Sequence, residues 1–187
     1  MLYIISGASR SGKTLLAKQL AVETGMSYFS LDWLVMGFSN GMSESGIHHL
    51  LFPHEIAEKS WKFLRAMFES MIWGGEDYII EGEAILPELI SAFIDKNQNK
   101  VRICFVGFTE VDIHKKLKDI RKYSQHKNDW LTEESDEYIL DHIQNMIAHS
   151  EMLRDGCERN NLTYIDTSTN FNDGLKKAKD SLFNSKD

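Results

Sequence analysis

The nonapeptide SGASRSGKT, residues 6–14, follows the apolar run Leu2–Ile5 and precedes a segment with helical periodicity. Residues 7–14 match the pattern G-x-x-x-x-G-K-[ST] in full, which arises by chance in roughly 1% of chains of this length. Glycines let backbone N–H groups turn toward a phosphate, and the N-terminus of the following helix attracts anions. The sequence therefore predicts a phosphate cradle between a strand and a helix, the alternative being an ordinary strand-to-helix turn.

The cradle pattern assigns a role to each of its residues. The residues expected to bind the nucleotide are Gly7, Ala8, Ser9, Arg10, Ser11, Gly12, Lys13, Thr14 and Leu15. Lys13 is expected to reach the β- and γ-phosphates and to act in catalysis, and the Thr14 hydroxyl is expected to bind Mg²⁺. The sequence contains no N-K-x-D motif, which argues against a GTPase and favours ATP.

Short apolar runs alternate with segments of helical periodicity. The runs predicted as strands are Leu2–Ser6, Tyr28–Leu31, Tyr78–Glu81, Val101–Val106 and Thr163–Asp166. The predicted helices are Lys13–Thr24, His54–Trp73, one from Pro87, one after a capping box at Thr109–Asp112, one from Thr132 and one after Asn172. This alternation predicts an α/β fold with a mostly parallel sheet covered by helices, in which ligands bind at the carboxyl ends of the strands.

Composition limits the classes of partner. The chain has 187 residues and a net charge of −7, so we expect one domain over 1–187 and neither a nucleic-acid coat nor an anionic membrane surface as partner. Cys104 and Cys157 form no CxxC pair, and no apolar stretch approaches the length of a membrane span. These features, with no secretory signal pattern at the N-terminus, predict a cytoplasmic protein.

Acidic residues follow two of the predicted strands. Asp32 ends the second run, where a carboxylate can accept the proton of a substrate hydroxyl or bind the substrate, the alternative being an N-cap for the segment Trp33–Met36. Glu81 ends the third run and is predicted to help hold Mg²⁺ or the substrate, with Glu83 as the second candidate for substrate binding. The alternative for both glutamates is an ordinary surface acid.

A basic cluster stands out in this acidic chain. Its members are Lys115, Lys116, Lys118, Arg121 and Lys122, with Lys127 just beyond. Arg121 is predicted to stabilise the transferring phosphate, because its planar guanidinium can bind two phosphate oxygens at once. Lys118 and Lys122 are predicted to contact substrate. The alternative is a solvated helix face whose cations complement the helix dipole.

Two further segments are candidates for ligand contact. The insert at about 37–75 is expected to contain the acceptor site, although its histidines His48, His49 and His54 are more simply explained as surface residues than as substrate contacts. Residues 118–131 are expected to form a lid. Asn128, Asp129 and Trp130, near the end of that lid, are candidates for ligand recognition.

The pattern as a whole resembles the P-loop small-molecule kinases, which include shikimate and gluconate kinases, chloramphenicol phosphotransferase, zeta toxins and nucleotide kinases. The resemblance is carried by the cradle at 7–14, LDWL at 31–34, IIEGE at 79–83, the basic helix near 121 and DTS at 166–168. It implies a three-layer α/β/α domain with a five-stranded parallel sheet in the order 2-3-1-4-5. It also implies a lid, and adenine near Thr167 and Ser168.

These observations together predict an ATP- and Mg²⁺-dependent phosphotransferase acting on a hydroxyl of a small metabolite, with an anionic metabolite as one option. Two alternatives stay open. One is a nucleotide-binding regulatory switch. The other is a kinase of nucleotides or nucleic-acid ends, which the acidic composition and the single lid arginine, Arg121, disfavour.

Overall fold

The computed structural model describes residues 1–123, 129, 131 and 133–183. Within these residues the strands are β1 (Leu2–Gly7), β2 (Ser27–Ser30), β3 (Tyr78–Gly82), β4 (Val101–Gly107) and β5 (Tyr164–Asp166). The helices are α1 (Lys13–Thr24), α2 (Leu31–Gly41), α3 (Pro53–Gly74), α4 (Pro87–Lys96), α5 (Ile113–Tyr123), α6 (Asp136–Arg159) and α7 (Phe171–Phe183). A single 3₁₀ turn at Ser43–Ser45 separates α2 from α3.

The five strands form one parallel sheet in the order β2-β3-β1-β4-β5. In the central strand β1, Ile5 lies opposite Glu81 of β3 on one side and Cys104 of β4 on the other. Glu81 also lies opposite Ser30 of β2. The order confirms the sheet that the resemblance implies, and the register brings the carboxyl ends of β1, β2 and β3 to one edge.

Helices cover both faces of the sheet, as predicted. Ile4 packs on one face, in a core shared with Phe68 of α3 and Leu153 of α6. Ile5 packs on the other face, with Leu16 of α1 and Leu175 of α7. Neighbouring residues of β1 are thus fully buried on opposite faces, which explains why this strand is continuously apolar instead of alternating.

The ends of several helices follow the predicted signals. Gly25 follows α1, Gly75 follows α3 and Pro87 begins α4. These positions match the prediction, because glycine is favoured just after a helix and proline in its first turn.

Several helix starts differ from the prediction. The helix predicted from His54 begins one residue earlier, at Pro53. Asp112 precedes α5 and accepts the backbone N–H of Lys115 through its Oδ1 at 2.9 Å. The capping box predicted from Thr109 is wrong, because the Thr109 hydroxyl binds Asp166 instead. Ser135 caps α6 by accepting the N–H of Tyr138, so that helix begins at Asp136. The predicted start, Thr132, lies outside the described residues. The last helix begins at Phe171, one position before Asn172.

The region around 37–75 is mostly helical. It contains the end of α2, the 3₁₀ turn and all of α3. Phe38, Ile47 and Ile56 of this region form a small core with Ala84. Ser30 caps α2, because its hydroxyl accepts the N–H of Asp32 at 3.4 Å. The alternative in which Asp32 is the N-cap is therefore wrong, and the Asp32 carboxylate is left for other contacts.

Within the described part of the chain, none of the helices is both long and apolar enough to cross a membrane.

The first glycine of the cradle generates a stability prediction. Gly7 has φ +138°, and a Cβ built on it would lie 1.8 Å from the carbonyl oxygen of Val106. Gly7→Ala should therefore lower the free energy of unfolding by about 3 kcal/mol or more, measured by denaturant titration. Gly37→Ala is the matched control, because a Cβ at that helical position meets nothing within 4 Å. It should raise stability by up to about 1 kcal/mol. Equal effects of the two substitutions would contradict the steric argument.

Candidate nucleotide and acceptor site

The cradle lies between the end of β1 and the start of α1. The N–H of Ala8 donates to the Val106 carbonyl at 3.0 Å, which holds the loop against β4. Gly12 has φ +97°, a left-handed conformation, and a Cβ there would lie 2.7 Å from the ring of Phe171. Arg10 also has a positive φ, of 56°. The backbone is therefore held in a conformation that most side-chain-bearing residues disfavour.

The start of α1 is suited to bind an anion. Its N-cap is Gly12, which supplies no side-chain cap, and its first turn contains no acidic residue. The first N–H groups of a helix have no partner within the helix, and the helix dipole adds positive potential there. Among the described residues, the fully buried hydroxyl of Ser11 also finds no hydrogen-bond partner. These groups fit the phosphates of a nucleotide.

Lys13 lies over the cradle itself. Its side chain is only 6% exposed, and its Nζ donates to the Ala8 carbonyl at 2.6 Å. The same Nζ lies 3.5 Å from Oε1 of Glu83, which makes a long ion pair. The structure therefore brings three predicted site residues together, with the ammonium group between the cradle and a carboxylate beyond it.

Thr14 and Glu81 form the candidate metal site. The Thr14 hydroxyl donates to Oε2 of Glu81 at 3.0 Å, and Glu81 is only 1% exposed. Oε1 of Glu81 is buried and has no hydrogen-bond partner among the described residues. A buried carboxylate oxygen without a partner is costly unless a cation or donor satisfies it, so the pair fits Mg²⁺. No group of three or more His, Cys, Asp or Glu residues in the described part of the chain is arranged to hold a metal.

Asp32 lies in the field of two other carboxylates. Asp32 is exposed to solvent on one side, while protein atoms surround the rest of its carboxylate and partly desolvate it. This desolvation, together with the negative charges of Glu83 and Glu81, raises the pKa of Asp32 from 3.8 to about 6. Lys13 acts in the opposite direction. The upward effect of desolvation and two like charges on the pKa of Asp32 therefore exceeds the downward effect of the Lys13 ammonium. Asp32 of α2, Glu81 of β3, Glu83 and Lys13 of α1 thus lie within one another's electrostatic fields.

The charges of this site act on two histidines of α6 that the sequence did not single out. Desolvation lowers the pKa of His149 to about 4, Glu83 acts to raise it, and Lys13 and His54 act to lower it further. Desolvation likewise lowers the pKa of His142, which also lies in the field of Glu83. Their spacing of seven residues places both on one face of α6, but a pair of histidines at helical spacing inside an amphipathic helix gave no specific signal.

A second set of contacts connects the cradle with the residues after α5. Both guanidinium nitrogens of Arg10 bind the carboxylate of Asp129, with Nη1 2.7 Å from Oδ2. Lys116 donates to the Arg10 carbonyl at 3.0 Å, and its Nζ lies 4.0 Å from the centre of the Phe108 ring. Burial is the main cause that lowers the pKa of Lys116 to about 8. Asp129 therefore contacts the cradle, which supports its expected place near the ligand.

Arg121 is directed toward the start of α6. Its guanidinium binds Oδ1 of Asp136, at 3.0 Å from Nε and 2.7 Å from Nη2. It also donates to the carbonyls of Leu131 at 3.2 Å and Glu134 at 2.6 Å. These bonds brace the connection between α5 and α6, and the role of Arg121 at a phosphate stays a prediction.

The remaining predicted site residues divide into three groups. Lys118 and Lys122 are exposed on α5, so their contact with substrate stays a prediction. Thr167 is buried with its hydroxyl on the Gly107 carbonyl, and the Ser168 hydroxyl accepts the N–H groups of Thr109 and Glu110, so both organise the loop between β4 and α5. Asn128 and Trp130, and most of the predicted lid tip, lie outside the described residues.

No protein-family model matches the sequence, and no curated protein matches it. Several solved structures do match the chain in their fold. The chain is similar to shikimate kinase from Bacteroides thetaiotaomicron, with 12% identity, a TM-score of 0.56, and 96% of this chain and 97% of that chain covered. It is similar to a gluconokinase from Sinorhizobium meliloti 1021, with 16% identity, a TM-score of 0.56, and 98% and 97% covered.

A sugar kinase from Janibacter sp. HTCC2649 is a further match, with 18% identity, a TM-score of 0.55, and 97% of this chain and 93% of that chain covered. All three alignments span nearly the whole length of both chains. At such low identity the likeness concerns the backbone. The chain therefore has the P-loop kinase fold, as the resemblance implies.

The raised pKa of Asp32 generates a stability prediction. An ionised carboxyl whose pKa is higher in the folded chain than in the unfolded chain costs folding free energy. The cost is full above pH 6 to 7 and disappears below the unfolded pKa of 3.8. Asp32→Asn should therefore raise the melting temperature at pH 8, and raise it less at pH 5. Asp141→Asn on α6 controls for removal of an exposed carboxylate. An unchanged or lower melting temperature of Asp32→Asn at pH 8 would refute the shift.

Proposed function

We propose that the protein is an ATP- and Mg²⁺-dependent phosphotransferase that moves the γ-phosphate to a hydroxyl of a small molecule. The observation that carries the proposal is the convergence, at one edge of the sheet, of Lys13, the Thr14–Glu81 pair and Asp32. These are a phosphate-binding cation, a fitting metal site and a carboxylate with a raised pKa. Similar backbones occur in structures described as a shikimate kinase, a gluconokinase and a sugar kinase.

The cradle and the metal site bind and orient the nucleotide in this proposal. The N–H groups at the start of α1 and the Lys13 ammonium bind the phosphates. Thr14 and Glu81 would hold Mg²⁺, which neutralises charge on the β- and γ-phosphates when bound. Because Lys13 is nearly inaccessible to solvent, its attraction to phosphate is only weakly screened by water.

Asp32 acts on the acceptor hydroxyl. The hydroxyl oxygen forms a bond to the γ-phosphorus while the bond from that phosphorus to the bridging oxygen of ADP breaks, and Asp32 accepts the hydroxyl proton. With its pKa near 6, Asp32 is mostly ionised at pH 7 to 8 and is a stronger base than an ordinary aspartate. The two neighbouring glutamates thus help make Asp32 a proton acceptor.

In this proposal Lys13 is the cation that stabilises the transferring phosphate, a role supported by its position over the cradle. For Arg121 to share this role, as its position in the basic cluster predicts, it must exchange its bonds to Asp136 and to the carbonyls before α6 for phosphate oxygens. We include this exchange of partners by Arg121 in the proposal.

Lys13 tests the nucleotide half of the proposal. Lys13→Ala should weaken ATP binding at least about 100-fold, since it removes a nearly buried cation at the phosphates. Binding is measured by calorimetry in the presence of Mg²⁺. Lys18→Ala, at an exposed position of the same helix, is the matched control and should bind ATP normally. Normal binding by Lys13→Ala, with an unchanged circular dichroism spectrum, would overturn the cradle assignment.

Asp32 tests the transfer half. Asp32→Asn should bind ATP as tightly as the unmodified protein but transfer phosphate about 10²- to 10⁴-fold more slowly, the usual cost of losing a general base. Transfer is followed with γ-labelled ATP and a panel of hydroxyl compounds. If Asp32→Asn transfers phosphate at the normal rate, the base is another group. Tight ATP binding with no transfer by the unmodified protein would instead favour a nucleotide-dependent switch.

A further inference from the structure

Arg10 has an unfavourable backbone conformation in the middle of the cradle. Its φ is 56°, in the left-handed region that residues with a Cβ rarely adopt. A residue keeps such a conformation only where the contacts around it hold it there, and residues of this kind are common at functional sites. The contacts of Arg10 are therefore candidates for a role in nucleotide binding.

Two side chains from outside the cradle hold Arg10. Asp129 binds its guanidinium through both carboxylate oxygens, with Oδ2 2.7 Å from Nη1. Lys116 of α5 donates to the Arg10 carbonyl at 3.0 Å. The first contact fixes the side chain of Arg10, and the second fixes the peptide group between Arg10 and Ser11. Together they restrain the residue on both sides of its Cα.

Both contacts are anchored in one small core between α5 and α6. The Lys116 Nζ lies 4.0 Å from the centre of the Phe108 ring, and Oδ1 of Asp129 accepts the N–H of Leu131 at 3.1 Å. Phe108 and Leu131 are fully buried. They belong to an apolar cluster completed by Ile120, Ile139, Ile143 and Met146. Arg10 is thus connected to a packed part of the fold.

Burial and charge suit the Arg10–Asp129 pair to this role. The Asp129 side chain is 9% exposed and that of Arg10 is 28% exposed. A two-pronged contact between an arginine and a carboxylate is geometrically specific, and a nearly buried carboxylate is costly without its partner. A carboxylate also repels phosphate oxygens, because both are anions. Asp129 is therefore better suited to hold the cradle than to contact the phosphates.

We propose that Asp129 and Lys116 are positioning residues for the cradle, which they hold through Arg10 in the conformation that binds phosphate. They thereby couple nucleotide affinity to the packing of α5 against α6. The inference rests on the proposed function for the identity of the ligand, and it adds a role for two residues that do not touch the reacting groups. The alternatives are direct contact of Asp129 with the nucleoside, and an inhibitory pair that nucleotide must break.

Two probes distinguish these alternatives, ATP and inorganic triphosphate, each measured by calorimetry with Mg²⁺. Asp129→Asn keeps the size of the side chain but removes its charge, and should weaken the binding of both probes by a similar factor of about 5 or more. Weaker binding of ATP alone would overturn the proposal in favour of contact with the nucleoside. Unchanged binding would also overturn it, and tighter binding would favour the inhibitory pair.

Lys116 is tested in the same way. Lys116→Met removes the ammonium group but keeps an apolar side chain against Phe108, so it should weaken both probes as Asp129→Asn does. Lys116→Arg restores a cationic donor and should bind both probes more tightly than Lys116→Met. Lys115→Met and Asp141→Asn, at exposed positions of α5 and α6, are matched controls and should bind normally. An equal loss in Lys115→Met would show a general effect of charge and refute the assignment of Lys116.

A double-mutant cycle shows whether the effect passes through Arg10. Glycine adopts a positive φ without strain, so Arg10→Gly removes the need for the contacts. In the Arg10→Gly background, Asp129→Asn should change the affinity for triphosphate by less than about 2-fold. If Asp129→Asn has its full effect in that background, the proposal is wrong.

A measurement without nucleotide separates this inference from the proposed function. In Asp129→Asn the ¹⁵N order parameter of the Arg10 amide should fall by about 0.1 or more. That of Ala8, whose N–H is bound to the Val106 carbonyl, should not change. If the unmodified protein binds neither probe, the proposed function fails, and this fall would still support the positioning of the cradle. An unchanged order parameter of Arg10 would overturn the inference even where nucleotide binds.

Discussion

Gly7 passes the backbone of Val106 so closely that no side chain fits between them. This contact fixes where β1 ends, and the bond from the Ala8 N–H to the Val106 carbonyl holds the next residue in place. The loop then leads to Gly12, which caps α1 without a side-chain bond to its first N–H groups. The position of Lys13 at the start of α1, from which its Nζ reaches the Ala8 carbonyl and Glu83, depends on this one close approach.

The site concentrates like charges at a cost that the rest of the fold offsets. Three carboxylates share the carboxyl edge of the sheet with a single nearly buried lysine, and desolvation raises the pKa of Asp32 to about 6. A continuous apolar core on both faces of the sheet supplies the stability that such a site needs. Functional sites are commonly destabilising in this way, because the groups are arranged for a ligand that neutralises them.

The sequence alone was sufficient to predict the sheet and the cradle, because both follow from local patterns. Continuous apolar runs marked buried parallel strands, and the spacing of two glycines and a lysine marked the loop. Helix starts were less predictable. Thr109 and Asp112 both suit the N-cap position of α5. Which of them takes that position depends on Asp166 of β5, which is distant in sequence and binds the Thr109 hydroxyl. The burial of His149 gave no signal in the sequence, since it follows from the packing of α6 against the rest of the fold.

This chain has the same fold as solved structures to which it is only 12–18% identical. The fold depends on backbone contacts and apolar packing more than on particular side chains at the site. In the proposed function the cradle would bind phosphate through N–H groups and a helix terminus, which require few particular side chains beyond two glycines, a lysine and a hydroxyl. The carboxylates near Lys13 come from separate elements, Asp32 from α2 and Glu83 from the residues after β3. Side chains on the ends of separate elements can change without disturbing the sheet, so the fold alone does not determine which compound such a site would accept.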